Sequence, residues 1–118
     1  MREHIRTWTD PDGVGFRLEL YDLNETDFEG HHRLGYEFHH GHKLIFQGED
    51  FACSPCQAVD SDQCVASLLG WLSLKRGDVD RDYFNSYTTE QLEWRDEWAE
   101  TLSIYALELA ETAKLAGD

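Results

Sequence analysis

Apolar and polar residues alternate along the first half of the chain with the period of two that is typical of β-strands. The alternation predicts strands over about 14–22, 33–39 and 43–48, and a weaker edge strand at about His4–Trp8. Short connections rich in Gly, Asp and His separate these segments. Because short connections join antiparallel neighbours, the pattern predicts an antiparallel meander of three to four strands.

The register of the second hairpin follows from the same alternation. A loop of three or five residues centred on Gly41 would pair Phe38 with Leu44 and keep both side chains on the core face. A two-residue loop at His40-Gly41 would turn Leu44 to the wrong face, since a slip of one residue inverts every side chain of a strand. We therefore expect the odd-length loop, which leaves Ile45 exposed on the outer face.

After residue 59 the apolar period becomes that of an α-helix. A first helix is expected over about 60–76, with Asp60 as its N-cap. A second is expected over about 89–115, where Thr88 and Gln91 form a capping-box pattern. The apolar stripe of the second helix comprises Trp94, Trp98, Leu102, Tyr105, Ala106, Leu109 and Ala113. Strands followed by helices predict a single α+β domain over 1–118, with two C-terminal helices packed on one side of the meander.

The charge of the chain narrows the classes of partner. There are 24 acidic and 10 basic residues, and the formal net charge is −14. A field of that sign repels phosphates and anionic lipids and attracts basic proteins, so we expect neither direct nucleic-acid binding nor membrane binding. No apolar run reaches the roughly 18–20 residues that span a bilayer. The first residues lack the apolar segment of a secretory signal, so a cytoplasmic location is expected.

Three cysteines lie within one short stretch. Cys53 and Cys56 form a C-x2-C pattern of the kind that holds zinc, and Cys64 or nearby histidines could complete the ligand set. An odd number of cysteines argues against a secreted disulfide framework. Cys64 also suits plain burial, because it lies on the apolar stripe of the first helix. A small zinc-binding structural module is therefore one alternative, and no cofactor is the expectation otherwise.

Five carboxylates of the second helix fall within about 80° of arc on a helical wheel, and two apolar side chains interrupt them. This predicted partner-binding face consists of Glu93, Glu97, Glu100, Ile104, Leu107, Glu108 and Glu111. The alternative is a solvated face that only keeps an acidic protein soluble. Self-association is a separate prediction, which rests on Ile104, Leu107 and the exposed Ile45. Because two acidic helix faces repel each other, a homodimer is expected to use the sheet or an edge strand, and the choice between monomer and homodimer stays open.

Motifs for catalysis are absent from the sequence. It has no Gly-rich phosphate loop, no G-x-S-x-G and no H-E-x-x-H. An enzyme is therefore only an outside alternative. The sequence predicts a small acidic, non-enzymatic interaction module that binds a basic site on another protein. One specific form of this hypothesis is an inhibitor that mimics the nucleic-acid backbone, of the type carried by mobile elements.

Overall fold

A four-stranded antiparallel sheet precedes two helices. The computed structural model describes residues 2–73 and 88–116. The elements are β1 (Glu3–Thr9), β2 (Phe16–Thr26), β3 (His32–His40), β4 (Lys43–Cys53), α1 (Asp62–Leu72) and α2 (Thr89–Leu115). The strand order β1-β2-β3-β4 is that of a simple meander. The predicted α+β class is confirmed, and the weak edge strand of the sequence pattern is β1.

The core lies between one face of the sheet and the two helices. Alternate side chains of β2, among them Phe16, Leu18 and Leu20, are buried in it. The ring of Phe16 meets Trp98 of α2 edge-on, with 5.2 Å between ring centroids. From α1, Leu68 and Leu69 join the same cluster. The period-two alternation of the strands therefore places one complete apolar layer against the helices.

The β3–β4 hairpin corrects the predicted register. The strands are joined by only two residues, Gly41 and His42, and Phe38 pairs with Phe46 rather than with Leu44. The pairing of the two strands shifts between Phe38 and His39. This is the effect of a β-bulge, in which one strand carries an extra residue. As a result Ile45 is buried, at 3% exposure, and Leu44 is exposed, at 40%.

The predicted odd-length loop and the exposed Ile45 are therefore wrong, and Ile45 is not available to a dimer interface. The bulge places Phe46 on the core face opposite Phe38, so apolar side chains still face each other there. Gly41 has a φ of 64°, which a residue without a Cβ adopts at little cost in the tight turn.

The two helices begin at side-chain caps. In α1 the cap is Ser61 rather than the predicted Asp60, and the Ser61 hydroxyl accepts a hydrogen bond from the Cys64 N–H at 3.1 Å. The helix ends at Leu72 with Ser73 as its C-cap, and the predicted end at residue 76 lies outside the described residues.

For α2 the predicted bounds and the capping box are confirmed. The Gln91 N–H donates to Thr88 Oγ1 at 3.1 Å, and Thr88 N–H donates to Gln91 Oε1 at 2.8 Å. Among the residues described, neither helix is long and apolar enough to cross a membrane.

Candidate protein-interaction face

The residues that the helical period predicts to be exposed form the outward face of α2. Leu102, Tyr105 and Ala113 point into the core from this helix. On the opposite side every member of the predicted face is exposed, and Ile104 and Leu107 are 47% and 65% exposed. We call this set the acidic stripe: Glu93, Glu97, Glu100, Ile104, Leu107, Glu108 and Glu111.

The acidic stripe is straight. Six of its members, all except Glu108, follow one another at alternating spacings of four and three residues from Glu93 to Glu111. At 1.5 Å per residue these six positions extend over about 27 Å of the helix. Positions spaced in this way lie along one side of an α-helix, which is the side that a neighbouring helix contacts in a coiled coil. The acidic stripe is therefore a continuous surface with an apolar centre and acidic ends.

The carboxylates of the acidic stripe have no cationic partner among the described residues. None of the five glutamates forms an ion pair there with a lysine, arginine or histidine, whereas neighbouring Glu90 pairs with Lys43 at the start of α2. Arg95 is the basic residue that lies between Glu93 and Glu97 in the sequence. Its side chain turns inward, at 5% exposure, and lies 3.7 Å from Asp96.

Several carboxylates of the sheet, in contrast, are paired with basic neighbours. Glu37 pairs with Arg2 and lies 3.4 Å from His39. The hydrogen bond from Arg2 is the main reason that the pKa of Glu37 is below its ordinary value. Directly opposite on β2, Glu19 lies 3.0 Å from His4 and 3.8 Å from Arg17.

The same pairing continues towards the ends of the strands and the start of α1. Arg33 Nη1 donates to Glu25 at 2.6 Å, and Arg6 lies 2.6 Å from Asp62. Basic side chains are thus concentrated on and around the sheet. Carboxylates without an ion-pair partner among the described residues occur elsewhere too, as at Glu3, Glu49 and Asp50 of the sheet, but on α2 five of them share one helix face.

Two grooves flank α2 on either side of the acidic stripe. The first, the β4–α2 groove, has a volume of about 420 Å³ and lies between the start of β4 and the first turns of α2. Its walls include Leu44, Trp94 and the carboxylates of Glu90, Glu93 and Glu97. Two members of the acidic stripe therefore also line this groove.

The second, the α1–α2 groove, has a volume of about 410 Å³. Small residues form most of its surface, among them Ser67 and Gly70 from α1 and Ser103 and Ala110 from α2. Leu107 of the acidic stripe forms part of its rim. The apolar centre of the stripe is therefore continuous with a shallow depression between the two helices.

The cysteines of the zinc hypothesis occupy two different environments. Cys53 and Cys64 are buried, and each thiol affects the ionisation of the other. Burial raises the pKa of both thiols, and that of Cys64 reaches about 12. Cys56 is exposed on the turn that follows β4.

Within the described part of the chain, no group of three or more His, Cys, Asp or Glu side chains is arranged to hold a metal ion. Zinc binding by Cys53, Cys56 and Cys64 stays a prediction, which elemental analysis of the purified protein tests.

Two of the histidines that could complete a zinc site have other hydrogen-bond partners in the fold. His32 is hydrogen-bonded to Asp22 at 2.6 Å. Burial opposes ionisation of Asp22, but hydrogen bonds from the Asn24 N–H and from His32 outweigh it and lower the carboxyl pKa. His40 accepts a hydrogen bond at Nδ1 from Trp94 Nε1 at 3.1 Å. These contacts give the two histidines structural partners.

Sequence reasoning missed one polar contact between α2 and the loop after β1. The Tyr105 hydroxyl donates to Asp12 Oδ2 at 2.8 Å. The helical period placed Tyr105 in the apolar stripe but gave no signal for its partner, which is 93 residues away in sequence. Comparison with protein-family models, curated proteins and solved structures finds no match for this chain.

Proposed function

We propose that this protein is a small acidic interaction module that binds a basic surface of another protein through the acidic stripe of α2. The observation that carries the proposal is the separation of charge. Glu19, Glu25 and Glu37 of the sheet each have a basic neighbour, whereas the five glutamates of the stripe share one helix face and have no ion-pair partner among the described residues. Because these carboxylates form no such pair within the protein, no ion pair has to be broken before they meet a partner's lysines and arginines.

The apolar centre of the stripe supports the same proposal. Charged rims set the association rate and the choice of partner, while buried apolar residues supply most of the binding free energy. Ile104 and Leu107 lie between carboxylates on both sides along the helix. An acidic rim around an apolar centre is the anatomy of an interface for a basic partner rather than of a surface that is only solubilising.

The more specific form of the proposal is an inhibitor that occupies a nucleic-acid-binding site. Carboxylates four residues apart on a helix are separated by about 6 Å along its axis, close to the spacing of phosphates along a strand. A partner that holds phosphates with lysines and arginines would meet a comparable row of anions on α2. Binding of this module and of nucleic acid would then be mutually exclusive.

The proposed site of action is the cytoplasm. Cys53, Cys56 and Cys64 are all free thiols, which suits a reducing compartment.

The test compares two variants with the same change in net charge. The stripe variant carries Glu97→Gln, Glu100→Gln and Glu111→Gln. The sheet variant carries Glu25→Gln, Glu29→Gln and Glu49→Gln, which are exposed carboxylates away from α2. Wild-type protein is immobilised, and proteins retained from the lysate of its host are compared with those retained by each variant.

A partner that fits the proposal is kept by wild-type protein and by the sheet variant and is lost by the stripe variant. Its Kd should rise about 3- to 150-fold for the stripe variant, because each of the three exposed ion pairs contributes about 0.2–1 kcal/mol. The affinity should also fall between about 0.1 M and 1 M salt, since the Debye length shrinks from about 10 Å to about 3 Å. A salt-independent affinity, or equal losses for the two variants, would contradict the proposal.

A further inference from the structure

The geometry of the acidic stripe restricts the shape of its partner. The six aligned positions of the stripe form a narrow line of about 27 Å with carboxylates at both ends and apolar side chains between them. A second α-helix has the same periodicity, and its side chains meet such a row along its entire length. One helical occupant can therefore contact the apolar centre and both acidic ends at once.

Charge and apolarity along the stripe give the pattern of that helix. Three carboxylates, Glu93, Glu97 and Glu100, occupy the N-terminal half, Ile104 and Leu107 follow, and carboxylates end the row. A complementary helix has lysine or arginine at the facing positions near both ends and apolar residues between them. Cations are most favourable in the last turn of a helix, where they offset its dipole.

The depression beside Leu107 provides room for the apolar part of the partner. Small side chains line the α1–α2 groove, including Ser103 and Ala110 on α2. At Gly70 of α1 an added Cβ would be 3.9 Å from the Cβ of Ala106, so the two helices approach each other closely there. A ridge of apolar side chains on an incoming helix can settle in this shallow groove next to Ile104 and Leu107.

We infer that the partner contributes an amphipathic basic α-helix that lies antiparallel along the acidic stripe, and this inference rests on the proposed function. Its cation-rich C-terminal half faces Glu93, Glu97 and Glu100, and its apolar middle covers Ile104 and Leu107. Such a helix is also the element with which many DNA-binding proteins enter the major groove. A partner that uses this helix to read DNA could not hold the module and DNA at once.

The first experiment uses two synthetic peptides of about 20 residues, long enough as helices to cover the stripe. The face peptide carries two leucines at its centre, flanked on the same side of the helix by lysines and arginines. The scrambled peptide has the same composition and net charge, but its leucines and cations are distributed around the helix. Calorimetry of each peptide with the full chain measures the two values of Kd.

We expect the face peptide to bind about tenfold more tightly than the scrambled peptide, because only the face peptide buries apolar surface against the stripe. The double variant Ile104→Ala, Leu107→Ala should remove that advantage and leave the weak binding of the scrambled peptide unchanged. The double change affects exposed side chains, so the fold should be retained. Equal affinity of the two peptides would overturn the helical partner.

The outcomes separate this inference from the proposed function. If both peptides bind equally and both weaken in the stripe variant, a basic partner is supported and a helical one is not. If neither peptide responds to the stripe variant, the acidic stripe is not the binding face and both proposals fall.

The orientation is tested with a spin label at the C-terminus of the face peptide. The label should broaden the backbone NMR signals of Glu93 and Glu97 more than those of Glu108 and Glu111. The reverse pattern would overturn the antiparallel arrangement.

Discussion

At the scale of single residues, Ser61 links the sheet to the first helix. Its side chain is buried and accepts the hydrogen bond from the Cys64 N–H that begins α1. We expect Ser61→Ala to lower the free energy of unfolding by about 1–2 kcal/mol, because a buried N–H loses its acceptor. Urea unfolding measures the loss. Ser67→Ala, on the exposed face of the same helix, is the matched control and should change stability by less than about 0.5 kcal/mol.

The ionisation of Tyr105 makes the stability of the fold depend on pH in the alkaline range. Burial first, and then the hydrogen bond to the Asp12 carboxylate, raise the pKa of Tyr105 to about 12. In the unfolded chain a tyrosine titrates at about 10. The native state therefore holds this proton more tightly. The stability it contributes is complete below about pH 10 and is lost as the pH rises towards 12.

The difference in phenolate absorbance between wild-type protein and Tyr105→Phe isolates this group, and it should ionise only as the pH approaches about 12. Asp12→Asn removes the charge and keeps an oxygen acceptor, so the pKa of Tyr105 should move back towards the ordinary value. An unchanged late titration in Asp12→Asn would show that burial alone holds the proton.

At the scale of elements, two leucines of α2 lie on different sides of the helix. Leu102 is fully buried, whereas Leu107 is 65% exposed on the acidic stripe. We expect Leu102→Ala to cost about 2–5 kcal/mol of unfolding free energy, since it leaves a cavity. Leu107→Ala should cost less than about 0.5 kcal/mol. Thermal or denaturant unfolding of the two variants compares the same substitution in one helix, and similar losses would contradict the assigned helix face.

The bounds of α2 could be predicted because its signals are local. Thr88 and Gln91 are three residues apart, and the apolar period continues from one end of the helix to the other. The β3–β4 register could not be predicted in this way. The shift beside Phe38 coincides with a contact from another element, because the Gln91 side chain donates a hydrogen bond to the Ile45 carbonyl.

The candidate face shows the same division between local and long-range information. Helical period alone places all seven residues of the acidic stripe on the surface. The neutralisation of the sheet carboxylates was not predictable, because pairs such as Arg2 with Glu37 join residues 35 positions apart. The burial of Arg95 is likewise not readable from the local sequence. A charged side chain is expected to be exposed, yet this one is buried on the inner side of α2.

At the scale of the whole molecule, the arrangement of charge should cost stability as well as provide a binding face. The stripe variant removes like-charge contacts between residues three and four apart, including Glu93 with Glu97 and Glu97 with Glu100. Each such contact is unfavourable by about 0.2–0.5 kcal/mol on a helix surface. We therefore expect the stripe variant to be more stable than wild-type protein by about 1 kcal/mol in low salt, as measured by denaturant unfolding.

The sheet variant, with the same net charge, should not gain this stability. Glu25 pairs with Arg33, and Glu49 lines a pocket with Arg2 and Arg33, so their neutralisation removes favourable interactions along with general repulsion. In about 1 M salt the advantage of the stripe variant should disappear, because charges a few ångströms apart are then screened. Equal stabilisation by both variants would mean that the repulsion belongs to the net charge of −14 and not to α2. A gain confined to the stripe variant, together with its loss of the partner, would show that this helix keeps an unfavourable row of charges for the sake of binding.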